Sequence, residues 1–210
     1  MLKKYFLISA HVIFICMVFA FTPALQAQQV KKPMQPANKA VQGKTVPDWN
    51  KKVRVSPRVF KTQTIGLTDV TISYSRPGVK GRKIWGGLVP YNKVWRAGAN
   101  EATKLTFSTD VWIEGKKFPA GSYSFFIIPY EKKDWTIIFN KVADQWGAFE
   151  YNEAEDFARF SVKPQATNFQ EWLTYNFTNM KVNEKGKNSA VLSLAWEKVR
   201  VPFTIEVNVN

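Results

Sequence analysis

Alternation of apolar and polar residues with a period of two recurs along this chain, and beyond residue 27 no window of ten or more residues repeats with the period of a helix. In "DVTISYS" the alternation puts Val70, Ile72 and Tyr74 on one face. In "KLTFSTDVWIEG" it puts Leu105, Phe107, Val111 and Ile113 on one face, with Thr106, Ser108, Asp110 and Glu114 opposite. Near the C-terminus "PFTIEVNVN" sets Phe203, Ile205, Val207 and Val209 against Thr204, Glu206, Asn208 and Asn210. Successive side chains of a strand point to opposite faces, so each segment reads as an antiparallel strand with one face in a core and one in water. "GSYSFFIIPY" and "DWTIIFN" are apolar on both faces and read as more deeply buried strands, with "EKKD" at 131–134 as the hairpin turn between them. Further strands are expected over 157–162, 171–178 and 189–196. Short strands punctuated by turns predict an all-β chain, a single antiparallel β-sandwich or jelly-roll-like domain over residues 53–210.

Two segments precede that domain. Lys3 and Lys4, an apolar run from Tyr5 to Phe21 and the small-residue stretch "ALQAQ" have the layout of a secretory signal peptide over residues 1–27. The run is near the lower limit for a membrane span, so an uncleaved anchor is the alternative and the only expected membrane contact. Residues 28–52 are rich in Lys, Gln, Pro, Asn and Ala with no apolar period, as in a flexible basic linker. The expected location is therefore outside the cytoplasm, periplasmic or extracellular.

Removal of the signal peptide takes away Cys16 and His11, the only Cys and the only His. The remaining chain has no thiolate nucleophile, no imidazole base, no Ser-His-Asp triad and no zinc site built on those ligands. No cofactor and no metal are expected, and stability must come from an apolar core rather than from disulfides.

The net charge of +14 divides unevenly. Residues 28–61 carry nine bases against Asp48 alone, whereas 62–210 carry nineteen bases and fifteen acids. The basic excess thus lies mostly in the leading segment and does not argue for nucleic acid as a partner. Within the domain one stretch stands out, "SRPGVKGRKIWGGLVPYNKVWRAGANEAT" at 75–103. It has no strand period and no acid between Asp69 and Glu101, and Arg76, Lys80, Arg82, Lys83, Lys93 and Arg96 give it six bases. A connection of this length is usually functional or disordered, and its two Trp favour packing over disorder.

Arginine forks and amides exposed at glycines suit a carboxylate, phosphate or sulfate, and a Trp can form a stacking wall for a sugar. The candidate ligand-binding residues are Arg76, Lys80, Arg82, Trp85, Trp95, Arg96, Asn100 and Glu101, and the expected partner is an anionic or carbohydrate ligand. The structural alternative has both Trp plugging one end of the sandwich and Arg96 paired with Glu101. The stretch is not a phosphate-binding P-loop, because no Gly-Lys-Ser/Thr sequence is present.

A second stretch, "DQWGAFEYNEAED" at 144–156, holds Asp144, Glu150, Glu153, Glu155 and Asp156 and no base. Three readings stay open. Glu101, Glu150, Glu153 or Asp156 could serve as acid and base of a glycosidase-like hydrolase, the oxygens could bind Ca²⁺, or the acids could face and neutralise the basic stretch.

"QTIGLTDVTISYSRPGVKGRKIWGGLVPYNKVWRAGANEATKLTFSTDV", "FPAGSYSFFIIP", "WTIIFNK", "DQWGAFEY" and "LAWEKVRVPFTIEV" together resemble a secreted bacterial family catalogued as domain of unknown function 2911. The resemblance implies export, from a Bacteroidetes-type bacterium, and no activity. Some members of that family bear an asparagine synthetase label, which this chain does not support, since no N-terminal Cys nucleophile or pyrophosphate loop is present. The leading expectation is an exported module, not an enzyme, that binds its ligand through 76–101. A structural or envelope-interaction protein is the remaining alternative.

Overall fold

The computed structural model describes residues 53–209, so the expected signal peptide and linker lie outside the described residues. The alternating segments become the strands of two antiparallel sheets. The larger sheet contains β1 (Arg58–Ile65), β2 (Thr68–Ser75), β3 (Thr103–Phe107), β6 (Gly121–Ile128), β7 (Trp135–Asn140) and β8 (Asp156–Val162), in that spatial order. The smaller sheet has the order β5 (Lys116–Phe118), β4 (Val111–Ile113), β10 (Gly186–Val209), β9 (Gln165–Lys181). Ile72, Leu105, Phe125 and Ile137 of the first sheet and Tyr175, Leu194, Phe203 and Ile205 of the second belong to one buried cluster, which makes the fold a β-sandwich.

Aromatic rings lock the two layers together. Phe203 of β10 lies with its ring centroid 5.4 Å from Phe125 and 5.8 Å from Phe139, and Phe118 of β5 meets Phe139 at 4.8 Å. Phe139 is fully buried at the centre of this group. Truncating a ring there to Ala removes its transfer energy and leaves a cavity, at a cost of about 3–5 kcal/mol.

Two local features differ from a plain reading of alternation. Leu105, Phe107, Val111 and Ile113 do all face the core, but as parts of two strands in different sheets, since the chain crosses from one layer to the other at 108–110. The strand predicted at 189–196 continues to Val209 as a single 24-residue element. Ala190, Leu192, Leu194 and Trp196 point inward at even positions, whereas Val201, Phe203, Ile205 and Val207 do so at odd ones. The phase changes at irregularities in the β9–β10 pairing around Glu197, whose φ of 56° places it in the left-handed region.

The long 76–101 segment is fastened to both layers. Gly78 bridges Trp172 of β9, and the Val79 amide donates to the Glu171 carbonyl (2.8 Å). Further on, Trp95 and Ile127 of β6 exchange both of their backbone bonds, at 2.8 and 2.9 Å. β3 pairs with β6 only as far as Phe125, so Trp95 occupies the ladder position that β3 leaves open. The segment therefore closes one end of the sandwich through backbone bonds to both sheets, although its sequence carries no strand period.

Candidate functional site

Closing the end of the sandwich leaves a cleft of about 550 Å³ between the 76–101 segment, the strap at Val55 and Ser56, and the tip of the acidic loop at Ala148 and Phe149. Lys80, Arg82, Lys93 and Arg96 line it, no carboxylate does, and Trp95 and Trp196 supply an aromatic wall. The two indoles stack with centroids 5.9 Å apart and planes inclined by 17°.

Each cation is held differently. Arg82 uses Nε and Nη2 to donate to the carbonyls of Val79 (3.1 Å) and Gly78 (2.6 Å), which fixes its stem against the loop backbone. The Lys80 amide donates to Glu171 Oε1, and its Nζ lies 5.9 Å from the Trp172 ring centroid, within cation–π range. Arg96 is the unusual one. Its Nε is buried and reaches no acceptor among the described residues. Burial holds its guanidinium pKa below the usual value. Gly147 lies against it, and a Cβ built on that glycine would sit 3.2 Å from Nη1. A second donor on the same lining is also orphaned, the indole N–H of Trp196, a residue only 1% exposed. Buried donors are nearly always satisfied, so two unpartnered ones among the described residues at one cleft are unusual.

Backbone strain accumulates along the same segment. Lys80, Asn92, Ala97 and Asn100 all have φ between 49° and 63°, and each such residue costs on the order of 1 kcal/mol. At Ala97 the surroundings impose the conformation. Its carbonyl accepts from the buried Tyr175 hydroxyl (2.8 Å) and from Thr103 Oγ1 (3.0 Å), which pins the backbone directly beside Arg96.

The eight candidate residues divide. Lys80, Arg82, Trp95 and Arg96 line the cleft. Arg76 instead donates to the Leu173 carbonyl (2.8 Å) and staples the segment to β9. Trp85 is 8% exposed and packs in the core, its ring 4.6 Å from Trp135. Asn100 and Glu101 face the strap, where Asn100 Nδ2 donates to the Ser56 carbonyl (3.4 Å). The Arg96–Glu101 ion pair of the structural alternative is not formed. Glu101 takes a bidentate fork from Arg54, both bonds 2.8 Å, with Arg58 3.8 Å away. Burial pushes the Glu101 carboxyl up, but the Arg54 fork and both Arg charges outweigh it and hold the group below the usual carboxylate value.

The basic and acidic stretches do converge: Glu101 bridges Trp146, and the Ala102 amide donates to the Gln145 carbonyl. Four of the five acids of 144–156 pair with cations outside the basic stretch. Asp144 pairs with Lys104, Glu155 with Lys141, and Glu153 and Asp156 with Arg159. Asp156 also accepts from the Tyr151 hydroxyl (2.6 Å) and from Asn140 Nδ2 (2.9 Å). Among the described residues no three acidic side chains gather as metal ligands.

The sequence reading missed Val55, Phe149 and Trp196 as parts of the cleft. Phe149 is 82% exposed, and an exposed aromatic between Ala148 and Glu150 is a signal only once its neighbours in space are known. Trp196 lies a hundred residues beyond Arg96, inside an ordinary strand.

A family comparison fits the extent of this arrangement: the family described as protein of unknown function DUF2911 matches residues 56–205, from the strap to the end of the core strands. The chain belongs to that family. No curated protein and no solved structure matches it. The matched span includes every cleft cation and both indoles.

Proposed function

We propose that the domain is an exported binding module that holds an anionic group, a carboxylate, phosphate or sulfate carried on an apolar or sugar body, in the cleft closed by residues 76–101. The observation that carries the reading is Arg96: a charged, partly desolvated guanidinium with an unpartnered buried Nε, in a cleft lined by three further cations and no acid. An anion there gains charge-assisted bonds worth about 1.5–3 kcal/mol each. The Trp95 and Trp196 wall, with Val55, Leu88 and Phe149 at the cleft, receives the uncharged part of the ligand.

The carboxylate-hydrolase reading draws no comparable support. Glu101 is clamped by Arg54, and Glu153 and Asp156 share Arg159, so three of the four named carboxylates are held in ion pairs.

Calorimetric titration of the protein at low salt with sulfate, phosphate, galacturonate and octanoate tests the proposal. At least one of these anions binds, the affinity falls as salt rises, and Arg82→Ala and Arg96→Ala each weaken it by about tenfold or more. If folded Arg82→Ala and Arg96→Ala bind every anion as the parent does, or if the parent binds none, the reading fails.

A further inference from the structure

Beside the anion cleft lies a second one of about 450 Å³, bounded by the β6–β7 hairpin turn, by Lys163 and Pro164 with the first two residues of β9, and by Lys198 and Val199 of β10. Its composition is different. Four aromatic rings line it, Trp85, Tyr91, Tyr130 and Trp135, and its rim carries both signs of charge, with Glu131 and Asp134 among lysines. One layer of indoles separates the two clefts: Trp85 of the second lies 5.7 Å from Trp95 and 5.9 Å from Trp196 of the first.

The hydrogen bonding of the aromatic rings is uneven. Trp135 donates its indole N–H to the Tyr130 carbonyl (2.8 Å), and Trp95 donates to the Gly98 carbonyl (3.1 Å). Trp85, more than nine-tenths buried, has no acceptor for its N–H among the described residues. Tyr91 and Tyr130 are only half-buried, so ring surface remains available, and Lys133 Nζ sits 3.9 Å from the Tyr130 centroid, which orders that side of the rim.

We propose that this second cleft is a saccharide-binding site. A sugar ring presents an apolar C–H face to aromatic surface and a fringe of hydroxyls that both donate and accept. The mixed rim matches that fringe: Glu131 and Asp134 accept, the lysines donate, and the Gln165 amide does both. A simple anion would meet Glu131 and Asp134 here, which the first cleft spares it. The inference does not depend on the anion reading, because no residue lines both clefts.

The test is a titration of the protein, followed by tryptophan fluorescence and calorimetry, against neutral cello-, xylo-, manno-, chito- and malto-oligosaccharides, with galacturonate oligomers as an acidic arm. At least one neutral oligosaccharide is expected to bind and shift the emission. Tyr91→Ala and Tyr130→Ala, which remove the two half-buried rings, each weaken that binding by about tenfold or more. Tyr130→Ala preserves the backbone carbonyl that Trp135 uses, so it keeps the test available where Tyr91→Ala fails to fold. Arg96→Met leaves neutral-sugar binding unchanged, and this separates the site from the first cleft. The proposal is overturned if no neutral oligosaccharide binds, if binding survives Tyr130→Ala, or if only acidic sugars bind and Arg96→Met abolishes that binding.

Discussion

Arg96→Met is expected to make the unliganded protein more stable while removing its anion binding. The Arg96 Nε–H is buried without an acceptor, and an unsatisfied buried donor costs about 1–3 kcal/mol. Methionine is an unbranched side chain of similar reach, and it carries neither the donor nor the charge. Part of the guanidinium still reaches solvent, so a net gain of about 1 kcal/mol is expected, which for a domain of this size raises Tm by about 2–4 °C. Thermal melts followed by circular dichroism at low salt measure it. The second arm adds the best-binding anion: at a hundred times Kd it stabilises the parent by about 2.7 kcal/mol and leaves Arg96→Met unmoved. A lower Tm for Arg96→Met without ligand would mean that Arg96 supports the fold, and equal anion-induced shifts in both proteins would place the anion elsewhere. Either result refutes the argument.

Three further outcomes test the framework around the cleft. Because its pairing with Arg54 depresses the Glu101 pKa, the stability Glu101 contributes is fully present above the unfolded carboxylate pKa of about 4.3 and is lost as pH falls through the lower folded value. Between pH 6 and pH 3 the parent should therefore lose more stability than Glu101→Gln, by at most about 1.8 kcal/mol, since pH 3 lies about 1.3 units below the unfolded value, and parallel urea-midpoint curves for the two would contradict this. Tyr175→Phe deletes a buried bond to the Ala97 carbonyl, but Thr103 Oγ1 still donates to that oxygen, so the loss stays near 1 kcal/mol and Tm falls by about 2–4 °C. Gly87→Ala would put a Cβ 2.5 Å from the Lys83 carbonyl oxygen, which forces the 83–89 turn to shift, and a loss of about 1–3 kcal/mol in chemical denaturation is expected.

Strand faces were legible in the sequence where alternation runs unbroken, as at Val70, Ile72 and Tyr74, or Phe203, Ile205 and Val207, all of which are buried. The hairpin at 131–134 was legible too, because a charged turn separates two apolar runs. What alternation hides is a change of partner or of phase. The 108–110 crossover moves the chain between sheets while inward-facing positions keep their parity, and the left-handed Glu197 reverses the parity inside one strand. Local sequence carries no trace of either, since both are set by which strand lies alongside.

The cleft divides along the same line. Its charge was visible as an acid-free run, because a one-signed stretch in an otherwise balanced domain is a local property. Its partners were not, because a carboxylate takes the cation that the fold brings nearest. Glu101, five residues from Arg96, pairs instead with Arg54, forty-seven residues away. That choice leaves Arg96 unpaired. Four acids of 144–156, Asp144, Glu153, Glu155 and Asp156, are likewise engaged by Lys104, Lys141 and Arg159 rather than by the cleft cations. The left-handed backbone at Ala97, fixed by Tyr175 and Thr103, sits directly beside Arg96. The partner of Glu101 is thus set by the strap that carries Arg54, a segment far away in sequence, and not by the cation nearest along the chain.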